Sequence, residues 1–389
     1  MDIKRLGEIC DIVSGGTPSR INTKFWDGGI IPWIKIGNIK EKYVSEADEY
    51  ITQAGLEGSS AKMLPKGTIL YTIFATLGEV GILTIDACTN QAIAGITIKN
   101  QDEVLTDYLY YYLKSKKSYV NNLGRGVAQN NINMSILRNL EVPLPALSVQ
   151  RQTVTILDRT AKVVKYRQQQ LQKLDDLVKA RFVELFGDTF LNSKAWSEVP
   201  LETMADVVSG ITKGRKTREQ NLVEVPYMAV SNVKEGYIDW TTVKIIEATE
   251  QEIDQYRLLP DDVLMTEGGD PDKLGRGAII KAPLENCIHQ NHIFRVRLDK
   301  QRILPVYFEE YLQHQRAKRY FLRCAKQTTG IASINMKQLK MLPVLLPPVE
   351  LQNHFAAFVT QSDRSKAVIQ KTLDEAQLLF DSLMQMNFG

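Results

Sequence analysis

Polar and basic side chains are concentrated in short loops between apolar segments, and they determine what chemistry the chain can perform. One loop, Ser14–Arg20, combines hydroxyl groups with glycines, and a matching loop in the second half carries Lys213, Arg215, Lys216 and Arg218. Lysine and arginine bind phosphate, whereas hydroxyl and amide groups can recognise the edges of bases. A basic loop is often only solvated, but the matching positions of the two loops favour a nucleic-acid surface.

Two amide-rich runs, Gln129–Asn131 and Lys326–Thr329, precede the same Ile-Asn motif in the two halves. Amides pair well with adenine, and a plain turn is the alternative. Residues of these runs, residues of the loops above and polar residues of other turns form the set from which we expect DNA contacts. The set is Ser14, Thr17, Ser19, Arg20, Lys35, Asn38, Arg125, Gln129, Asn130, Lys213, Arg215, Lys216, Ser231, Asn232, Glu267, Asp270, Lys273, Arg276, Lys326, Gln327 and Thr328.

The segment Ile293–Leu298 alternates apolar and basic residues, as a half-buried strand does. Its apolar residues are predicted to face a core, and Arg295 and Arg297 to face outward. These arginines could contact phosphate, and a solvated strand face is the alternative interpretation.

Motifs of catalysis are missing from the sequence. There is no N-P-P-[FY] or D-P-P-Y, which an adenine amino-methyltransferase needs to hold the amino group, and Pro347-Pro348 is predicted to be a turn before a helix. Gly210 and Gly214 are separated by three residues rather than the four of a phosphate-binding loop, and Arg215 stands where that loop needs lysine. These departures argue against an adenine methyltransferase and against a nucleotide site.

Neither a metal site nor a nuclease centre is supported by the remaining candidates. His289 and His292 are close in sequence, but no carboxylate or cysteine stands at ligand spacing, so local hydrogen bonding is expected. Glu267, Asp270 and Asp272 lack the D/E-x-K that follows the acidic residues of nucleases. We interpret them as loop acceptors for contacts to bases or backbone.

A long helix is predicted from Leu147 to Gly187, because no proline and only a terminal glycine interrupt the segment. Apolar residues at helical spacing predict one buried stripe that runs from Ile156 through Val163 and Val178 to Leu185. A helix of about 55 Å is too long for one small core. We therefore expect it to pack lengthwise on a second long helix.

A second copy of this pattern lies 202 residues further on. Ile132-Asn133-Met134 corresponds to Ile334-Asn335-Met336, Gln150 to Gln352, and the predicted helix to Asn353–Phe388. The matches before the helices contain no gap, which makes duplication the better explanation than chance. In the regions before them the shift drifts from 194 to 199, as for Gln91 and Gln290. Loops tolerate insertions and a packed helix does not, so the two modules share a fold and differ at their surfaces.

The composition predicts sizeable hydrophobic cores and a net charge close to zero. It has 389 residues, 44% of them hydrophobic, and a net charge of +3, so any nucleic-acid surface must be local. Four scattered cysteines without a C-x-x-C pair indicate a reducing compartment. The N-terminus does not resemble a signal peptide and no segment is apolar enough to span a membrane, so a cytoplasmic protein is expected.

The predicted fold class is α+β, with two tandem globular modules separated by two long antiparallel spacer helices in a pseudo-two-fold repeat. The predicted boundaries are 1–146 for the first module, 147–190 for the central helix, 191–348 for the second module and 349–389 for the C-terminal helix. Tyr108, Tyr111 and Tyr112 recur at helical spacing, and we expect them in the core rather than stacked on bases. Trp33 is also expected to be structural.

Several motifs in combination resemble the specificity subunit of Type I restriction–modification systems, over essentially the whole chain. They are Ser14–Ser19 and Leu64–Thr68 in the first module, Thr266–Asp270 followed by Leu274–Gly277 in the second, and the Ile-Asn and Leu-Pro signals before both helices. The resemblance implies a non-catalytic subunit in which each module recognises one half of an asymmetric, bipartite, double-stranded DNA target.

The resemblance also implies partners. Two modification subunits would dock on this chain and methylate adenine, and restriction subunits would then join. On this basis the chain binds no cofactor, no metal and no membrane, and S-adenosylmethionine, ATP and Mg are expected in the partner subunits. The alternatives are a stand-alone DNA methyltransferase or nuclease and a coiled-coil scaffold without DNA. Neither alternative explains both the missing motifs and the two divergent strand-rich modules.

Overall fold

The computed structural model describes residues 2–124, 132–214, 221–270, 274–328 and 331–389. The chain forms two compact units, and both long helices contribute to each of them. Unit 1 comprises Met1–Gln168 and Lys371–Gly389, and unit 2 comprises Gln169–Gln370. The long helices are α6, Leu147–Phe186, and α11, Val349–Phe388, each of 40 residues.

Apart from the long helices, unit 1 contains ten short strands and five short helices among its described residues. The strands are β1 (Asp2–Arg5), β2 (Cys10–Ser14), β3 (Ile31–Ile34), β4 (Tyr43–Val44), β5 (Glu49–Ile51), β6 (Ile69–Thr72), β7 (Val80–Leu83), β8 (Cys88–Thr89), β9 (Ile93–Ile98) and β10 (Glu141–Leu144). The helices are α1 (Leu6–Ile9), α2 (Gln53–Glu57), α3 (Thr106–Ser115), α4 (Lys117–Gly124) and α5 (Met134–Arg138).

Unit 2 has a similar order of elements in its described part. The strands are β11 (Ser197–Pro200), β12 (Ala205–Ser209), β13 (Val223–Met228), β14 (Lys244–Ala248), β15 (Val263–Thr266), β16 (Gly268–Gly269), β17 (Gly277–Ile279), β18 (Ile288–His289), β19 (Ile293–Leu298), β20 (Lys326–Thr328), β21 (Ile331–Ser333) and β22 (Pro343–Leu346). The helices are α7 (Glu250–Tyr256), α8 (Pro305–Gln313), α9 (Gln315–Cys324) and α10 (Met336–Lys340).

The sheets of the two units correspond strand by strand. Unit 1 has a main sheet of order β2-β9-β6-β7-β4, a small sheet β5-β3-β8, and the pair β1-β10. Unit 2 has β12-β19-β15-β17, with no counterpart of β4 among its described residues, and β14-β13-β18 and β11-β22. It also forms the sheet β16-β21-β20, whose matching positions in unit 1 lie mostly within 125–131, outside the described residues. Ser14 lies opposite Ala94 as Ser209 lies opposite Phe294. Strand pairing therefore confirms the predicted duplication and the α+β class.

The strand register corrects one predicted correspondence. The amide of Asn90 donates to the carbonyl of Ile34 at 3.0 Å, and the amide of Gln290 makes the same bond to Met228 at 3.0 Å. Gln290 is therefore the counterpart of Asn90, not of Gln91. The sequence match of the two glutamines is displaced by one residue because both segments are rich in amides.

The predicted core tyrosines are buried and hydrogen-bonded. Tyr108 donates to the carbonyl of Pro143 at 2.9 Å, and Tyr112 donates to that of Glu141 at 2.6 Å. Two tyrosines of α8 bond in the same way to carbonyl groups of β22 in unit 2. A buried phenol needs a partner for its hydroxyl group, and here that partner is the strand that leads into the long helix. The tyrosines thereby fix each long helix to its module.

Gln150 supplies a second connection of the same kind. Its Oε1 accepts from the amide of Leu105 at 3.0 Å, and its Nε2 donates to the carbonyls of Glu103 and Pro145, both at 2.9 Å. Gln352 makes the same three bonds in unit 2 at 2.8 to 3.0 Å, and both side chains are fully buried. The glutamine is therefore repeated because it connects each long helix to its module by the same three hydrogen bonds.

The repeated Ile-Asn motif also has a local explanation. Asn133 caps α5 by accepting from the amide of Ile136 at 2.8 Å, and Asn335 caps α10 by accepting from that of Gln338 at 2.9 Å. Asparagine is among the preferred N-cap residues because its side chain satisfies an amide that the helix leaves unpaired.

The buried line of α6 differs from the predicted stripe in its first half. Ile156 and Val163 are 39% and 45% exposed, whereas the neighbouring Leu157 is fully buried and Val164 is half-buried. The prediction was wrong at Ile156 and Val163, and Val178 is buried as predicted. Buried or half-buried positions alternate in steps of four and three residues, which is the 3.5-residue repeat of paired helices. They are Thr153, Leu157, Thr160, Val164, Arg167, Leu171, Leu174 and Val178.

Within each unit the two long helices run antiparallel, as predicted. In unit 1 Thr153, near the start of α6, bonds to Asn387, near the end of α11, at 3.0 Å. In unit 2 Asp175 forms an ion pair with Lys366 at 2.5 Å. Further along α6, the ring of Phe182 packs at 5.4 Å from the ring of Phe355, near the start of α11. None of the described helices is long and apolar enough to cross a membrane.

Candidate nucleic-acid interface

The main sheet of unit 1 brings several polar loops to one edge. β2 ends at Ser14 and β6 ends at Thr72, and both ends lie beside the start of β9. The loops that follow β2 and β6 and the loop that precedes β9 therefore meet. The bond between Asn90 and Ile34 adds the turn after β3. We call this the loop edge of unit 1; it consists of 14–20, 35–38, 73–77 and 90–92.

Unit 2 has an equivalent loop edge, made of 209–214, 230–232, 267–270 and 290–292. β12 ends at Ser209 and β15 at Thr266, both beside the start of β19. The amide of Ile334 donates to the carbonyl of Glu267 at 2.9 Å and brings the segment before α10 to the same edge. Most of the predicted contact residues that the structure describes thus lie together, in two groups.

Glycine is required where these loops approach the neighbouring strand. A Cβ atom on Gly15 would lie 2.1 Å from the carbonyl oxygen of Asn90, and one on Gly16 would lie 2.3 Å from the amide of Ala61. A Cβ atom on Gly210 would lie 1.9 Å from the carbonyl oxygen of His289. Side chains would push the loops away from the sheet, so the Ser-Gly motif sets the position of both loops.

In each unit a buried aromatic side chain donates a hydrogen bond to the loop that follows the first strand of the main sheet. Trp33 donates from Nε1 to the carbonyl of Gly16 at 2.9 Å, and Tyr227 donates from its hydroxyl group to the carbonyl of Ile211 at 2.9 Å. Both aromatic side chains are buried, and both stand at the same place in the small sheet. Trp33 is structural, as predicted.

Arg20 belongs to a charged and aromatic cluster in unit 1. Its guanidinium group lies 3.8 Å from the ring centroid of Trp26 and forms an ion pair with Glu49 at 2.5 Å. Lys35 forms a second ion pair with Glu49. Arg20, and then Lys35, hold the pKa of Glu49 below its ordinary value, so this carboxylate is ionised at neutral pH. Sequence reasoning missed Trp26 and Glu49; Glu49 comes near Arg20 through the pairing of β3 with β5, whereas Trp26 lies in the same loop region as Arg20.

Further hydrogen bonds hold the loops of both units in place. Thr17 bonds to the exposed Gln91, and Trp26 donates to the carbonyl of Ser19 at 3.0 Å. In unit 2 Ser209 donates to the carbonyl of Asn291 at 2.6 Å. The loops are thus held by their own hydrogen bonds and present an ordered surface.

Asn232 is a correction to the predicted contact set. Its side chain is fully buried, where Oδ1 accepts from the amide of Ala229 at 2.9 Å and Nδ2 donates to Asp239 and Thr242 at 2.9 and 3.0 Å. A buried amide whose hydrogen bonds are made inside the unit is not available to a base. Asn38 caps the equivalent turn in unit 1, by accepting from the amide of Lys35 at 2.8 Å, and is half-buried.

The acidic and basic candidates of unit 2 lie at or next to its loop edge. Glu267 is half-buried, Lys213, Ser231 and Asp270 are exposed, and Arg276 is half-buried at the start of the following hairpin. Lys326 is exposed on β20, and the side chains of Gln327 and Thr328 lie outside the described residues. Also outside them are Arg125, Gln129, Asn130, Arg215, Lys216 and Lys273, whose DNA role stays a prediction.

Arg295 does not face solvent as the alternation suggested, and the side chain of Arg297 is only partly exposed. Arg295 is only 3% exposed and pairs with Asp206 at 2.6 Å, and Arg297 pairs through two nitrogens with the buried Asp262 at 2.7 and 2.8 Å. Strand β19 is covered on both faces, so its period-two pattern does not mark an exposed side. These arginines stabilise the module, and a phosphate contact by Arg295 is excluded by its burial.

His289 is buried, with Nδ1 3.1 Å from the carbonyl of Tyr256 and Nε2 3.3 Å from that of Val208; a neutral ring donates to one of them, which is the local hydrogen bonding expected. Burial lowers its pKa to about 4, so the ring is neutral at neutral pH. In the described part of the chain, no group of three or more histidine, cysteine, aspartate or glutamate residues is placed to hold a metal ion. What the loop edges offer is hydrogen bonding and charge.

Comparison with known proteins identifies relatives along the whole chain. Residues 1–175 and 193–378 each match the family model described as the Type I restriction modification DNA specificity domain. The MjaIX specificity subunit of Methanocaldococcus jannaschii is 28% identical over 255 residues, which is 60% of this chain and 58% of that protein. The EcoKI specificity subunit of Escherichia coli K12 is 22% identical over 91% of this chain and 80% of that protein.

Solved structures show a similar fold. The S subunit of a Type I restriction–modification system from M. genitalium is 16% identical, with a TM-score of 0.56, over 98% of this chain and 94% of its own. A chain from a solved structure on complex assembly and conformational transition of the type I R-M system is 17% identical, with a TM-score of 0.59. The similarity covers 100% of this chain and 97% of that chain.

Proposed function

Because this chain belongs to the Type I restriction modification DNA specificity family, we propose that it is the DNA sequence-recognition subunit of a Type I restriction–modification complex. In this proposal each unit recognises one half of an asymmetric bipartite target in double-stranded DNA. The observation that carries the proposal is the pair of loop edges, which share a backbone framework and present different side chains.

The difference is clearest on the strands β5 and β14, which pair with the central strand of each small sheet. Glu49 lies opposite Trp33 in unit 1, and at the same register Lys244 lies opposite Tyr227 in unit 2. An acidic side chain in one unit is thus a basic one in the other. Two modules that bound the same feature of DNA would not need opposite charges at one framework position. Divergence on a shared framework supports recognition of two different half-sites.

Arg20 fits the requirements of base recognition in unit 1. Stacking on Trp26 and pairing with Glu49 hold its guanidinium group in one orientation, and an oriented guanidinium group can donate two hydrogen bonds to guanine. Preorganisation lowers the entropy that is lost on binding.

We propose that the chain itself is not catalytic and that methylation of adenine is carried out by two modification subunits, with restriction subunits joining them. S-adenosylmethionine, ATP and Mg are assigned to those partners. A docking surface is supported by three exposed apolar residues on α6, Val149, Ile156 and Val163, which are spaced by seven residues and lie within unit 1. Spacing of seven places them in one row along the helix.

Reconstitution tests this function. The purified chain, its modification subunits and the mixture are each incubated with S-adenosylmethionine and a library of random double-stranded DNA, and methylated adenines are mapped. We expect methylation only by the mixture, at one bipartite sequence. Methyl transfer or cleavage by the chain alone would identify the stand-alone enzyme instead. A mixture that methylates without sequence preference would contradict the recognition role.

A further inference from the structure

The loop edge of unit 2 carries a hydrogen-bonded carboxylate–histidine pair that unit 1 lacks at the same framework position. The amide of Glu267 donates to the carbonyl of His292 at 3.0 Å, and the amide of Ile73 makes the equivalent bond to Ala92 at 2.8 Å. In unit 2 the carbonyl of Glu267 accepts from the amide of Ile334, and in unit 1 the carbonyl of Ile73 accepts from the amide of Ile132 in the same way. Glu267 and His292 therefore replace an apolar pair on an unchanged backbone.

The side chains of Glu267 and His292 contact each other at the surface. Nδ1 of His292 lies 2.5 Å from Oε2 of Glu267, and the two side chains are 57% and 32% exposed, respectively. Nε2 of His292 lies 3.4 Å from Nδ2, the side-chain amide nitrogen of Asn291. Two glycines, Gly268 and Gly269, follow Glu267.

The hydrogen bonds define what the ring offers to a ligand. An ionised carboxylate only accepts, so the proton of a neutral His292 lies on Nδ1. The other nitrogen, Nε2, is then an acceptor with a single lone pair, and a base that binds there displaces the side-chain Nδ2 of Asn291, which lies beside it at 3.4 Å. In the major groove, the groups that donate to such an acceptor are the exocyclic amino groups of adenine and cytosine.

We propose that His292 is a specificity-determining residue of unit 2, which accepts a hydrogen bond through Nε2 from the exocyclic amino group of adenine or cytosine in its half-site. Glu267 is a positioning residue, which fixes the tautomer and the orientation of the ring. The proposal rests on the function proposed above and extends it to one residue pair. Unit 1 has no equivalent because Ile73 and Ala92 occupy these places, so its half-site is independent of the pair.

The test uses the full chain with its modification subunits. Methylation is mapped over a random DNA library for the wild type and for His292→Ala, His292→Gln, Glu267→Ala and Glu267→Gln. We expect His292→Ala to reduce discrimination at one position of one half-site by about tenfold or more, with the other half-site unchanged. Glu267→Gln keeps an acceptor near Nδ1, so it should lose less discrimination than Glu267→Ala.

Glu285→Gln is the matched control. Glu285 is exposed on the turn between β17 and β18, at the end of the sheet opposite the loop edge, so its substitution should leave both half-sites unchanged. Circular-dichroism melting establishes that each variant is folded. If His292→Ala melts early, His292→Gln, which keeps a polar side chain of similar reach, decides the outcome.

Unchanged discrimination in folded His292 variants would overturn the inference. Equal weakening on all sequences would also overturn it, because that result identifies a phosphate contact. Failure of the proposed function is distinguishable from both outcomes, since the wild-type mixture would then show no bipartite specificity at all.

Discussion

Single buried polar residues carry much of the architecture, and Gln150 is the most informative of them. Substituting leucine would leave the amide of Leu105 and the carbonyls of Glu103 and Pro145 buried without their partner. Each orphaned buried group costs about 1–3 kcal/mol. We expect Gln150→Leu to lower the free energy of unfolding by at least about 3 kcal/mol, measured by urea denaturation of the full chain.

Gln152→Leu is the control for this prediction, because Gln152 is exposed on the same turn of α6. It should change the free energy of unfolding by less than about 0.5 kcal/mol. Equal effects of the two substitutions would show that the hydrogen bonds of Gln150 do not stabilise the joint between helix and module.

His289 predicts a pH dependence of unit 2. Its pKa is lowered from 6.5 to about 4 by burial, so the unfolded chain binds a proton in a range where the folded chain does not. The stability that depends on a neutral His289 is fully present above pH 6.5 and is lost as the pH falls toward about 4. A pKa difference of this size corresponds to about 3 kcal/mol.

The variant His289→Thr isolates this effect, since Thr89 occupies the equivalent position in unit 1. The variant is expected to be less stable at pH 7, because a buried carbonyl loses the N–H group that donates to it. Its free energy of unfolding should nevertheless fall less steeply than that of the wild type between pH 6.5 and 4. Parallel pH profiles in urea denaturation would rule out His289 as the titrating group.

At the scale of elements, α6 presents two different apolar lines. Leu157 and Val164 are turned inward, and Val149, Ile156 and Val163 remain exposed. The sequence alone does not distinguish the lines, because each contains apolar residues seven apart. The inner line is selected by the partner helix and the core of unit 1.

The exposed line yields a prediction about partners, which rests on the proposed function. Burial of one large aliphatic side chain contributes about 1.5–3 kcal/mol, so charges at two such positions should weaken docking strongly. We expect Ile156→Glu with Val163→Glu to reduce the affinity for the modification subunits by about tenfold or more, measured by calorimetry. The melting temperature of the chain should change little.

Thr155→Glu with Lys162→Gln is the matched control, because both positions are exposed and lie one residue before the row, and the pair changes the net charge by the same amount. These substitutions also make the net charge more negative but remove no apolar surface. If both double variants weaken docking equally, charge alone is responsible and the apolar row is not the docking surface.

At the scale of the whole molecule, the duplication extends to the packing at the ends of the long helices. Phe388 of α11 packs on Tyr108 at 5.2 Å in unit 1, and Phe186 of α6 packs on Tyr307 at 4.8 Å in unit 2. Phe186 and Phe388 are 202 residues apart, at the ends of helices of equal length. The end of α6 is therefore a structural equivalent of the end of α11.

This equivalence predicts that a fragment of residues 1–187 forms a homodimer. In the fragment the core of unit 1 loses Phe380 and Phe388, and a second copy can offer Val178 and Phe186 in their places. An antiparallel pair of identical helices has a two-fold axis, so with modification subunits the dimer should direct methylation to an inverted repeat of one half-site. Sedimentation and methylation mapping measure the two parts.

Val178→Phe is the matched variant for the fragment. Val178 is smaller than the Phe380 it replaces, so a gap would remain in the homodimer, and filling it should strengthen the dimer. A fragment that stays monomeric at micromolar concentration in both forms would show that the shared register does not provide interchangeable packing.

The architecture could be predicted because its signals are local or repeated. Uninterrupted helical periodicity identified α6 and α11, and the unbroken shift of 202 residues identified two copies of one fold. The tyrosines of α3 were assigned to the core from spacing alone. Each of these inferences depends on properties within one segment or on comparison of two segments, and both are contained in the sequence.

The candidate site depended on tertiary structure, because its groups come from distant segments. Arg20 meets Glu49 only through the pairing of β3 with β5, and Glu267 meets His292 only through the pairing of β15 with β19. Arg295 is buried because β19 is covered on both faces, and the alternation of residues within β19 does not reveal this. The sequence determined which elements exist and that they are duplicated. Only the packing of those elements decided which polar side chains face the loop edges and which are held inside.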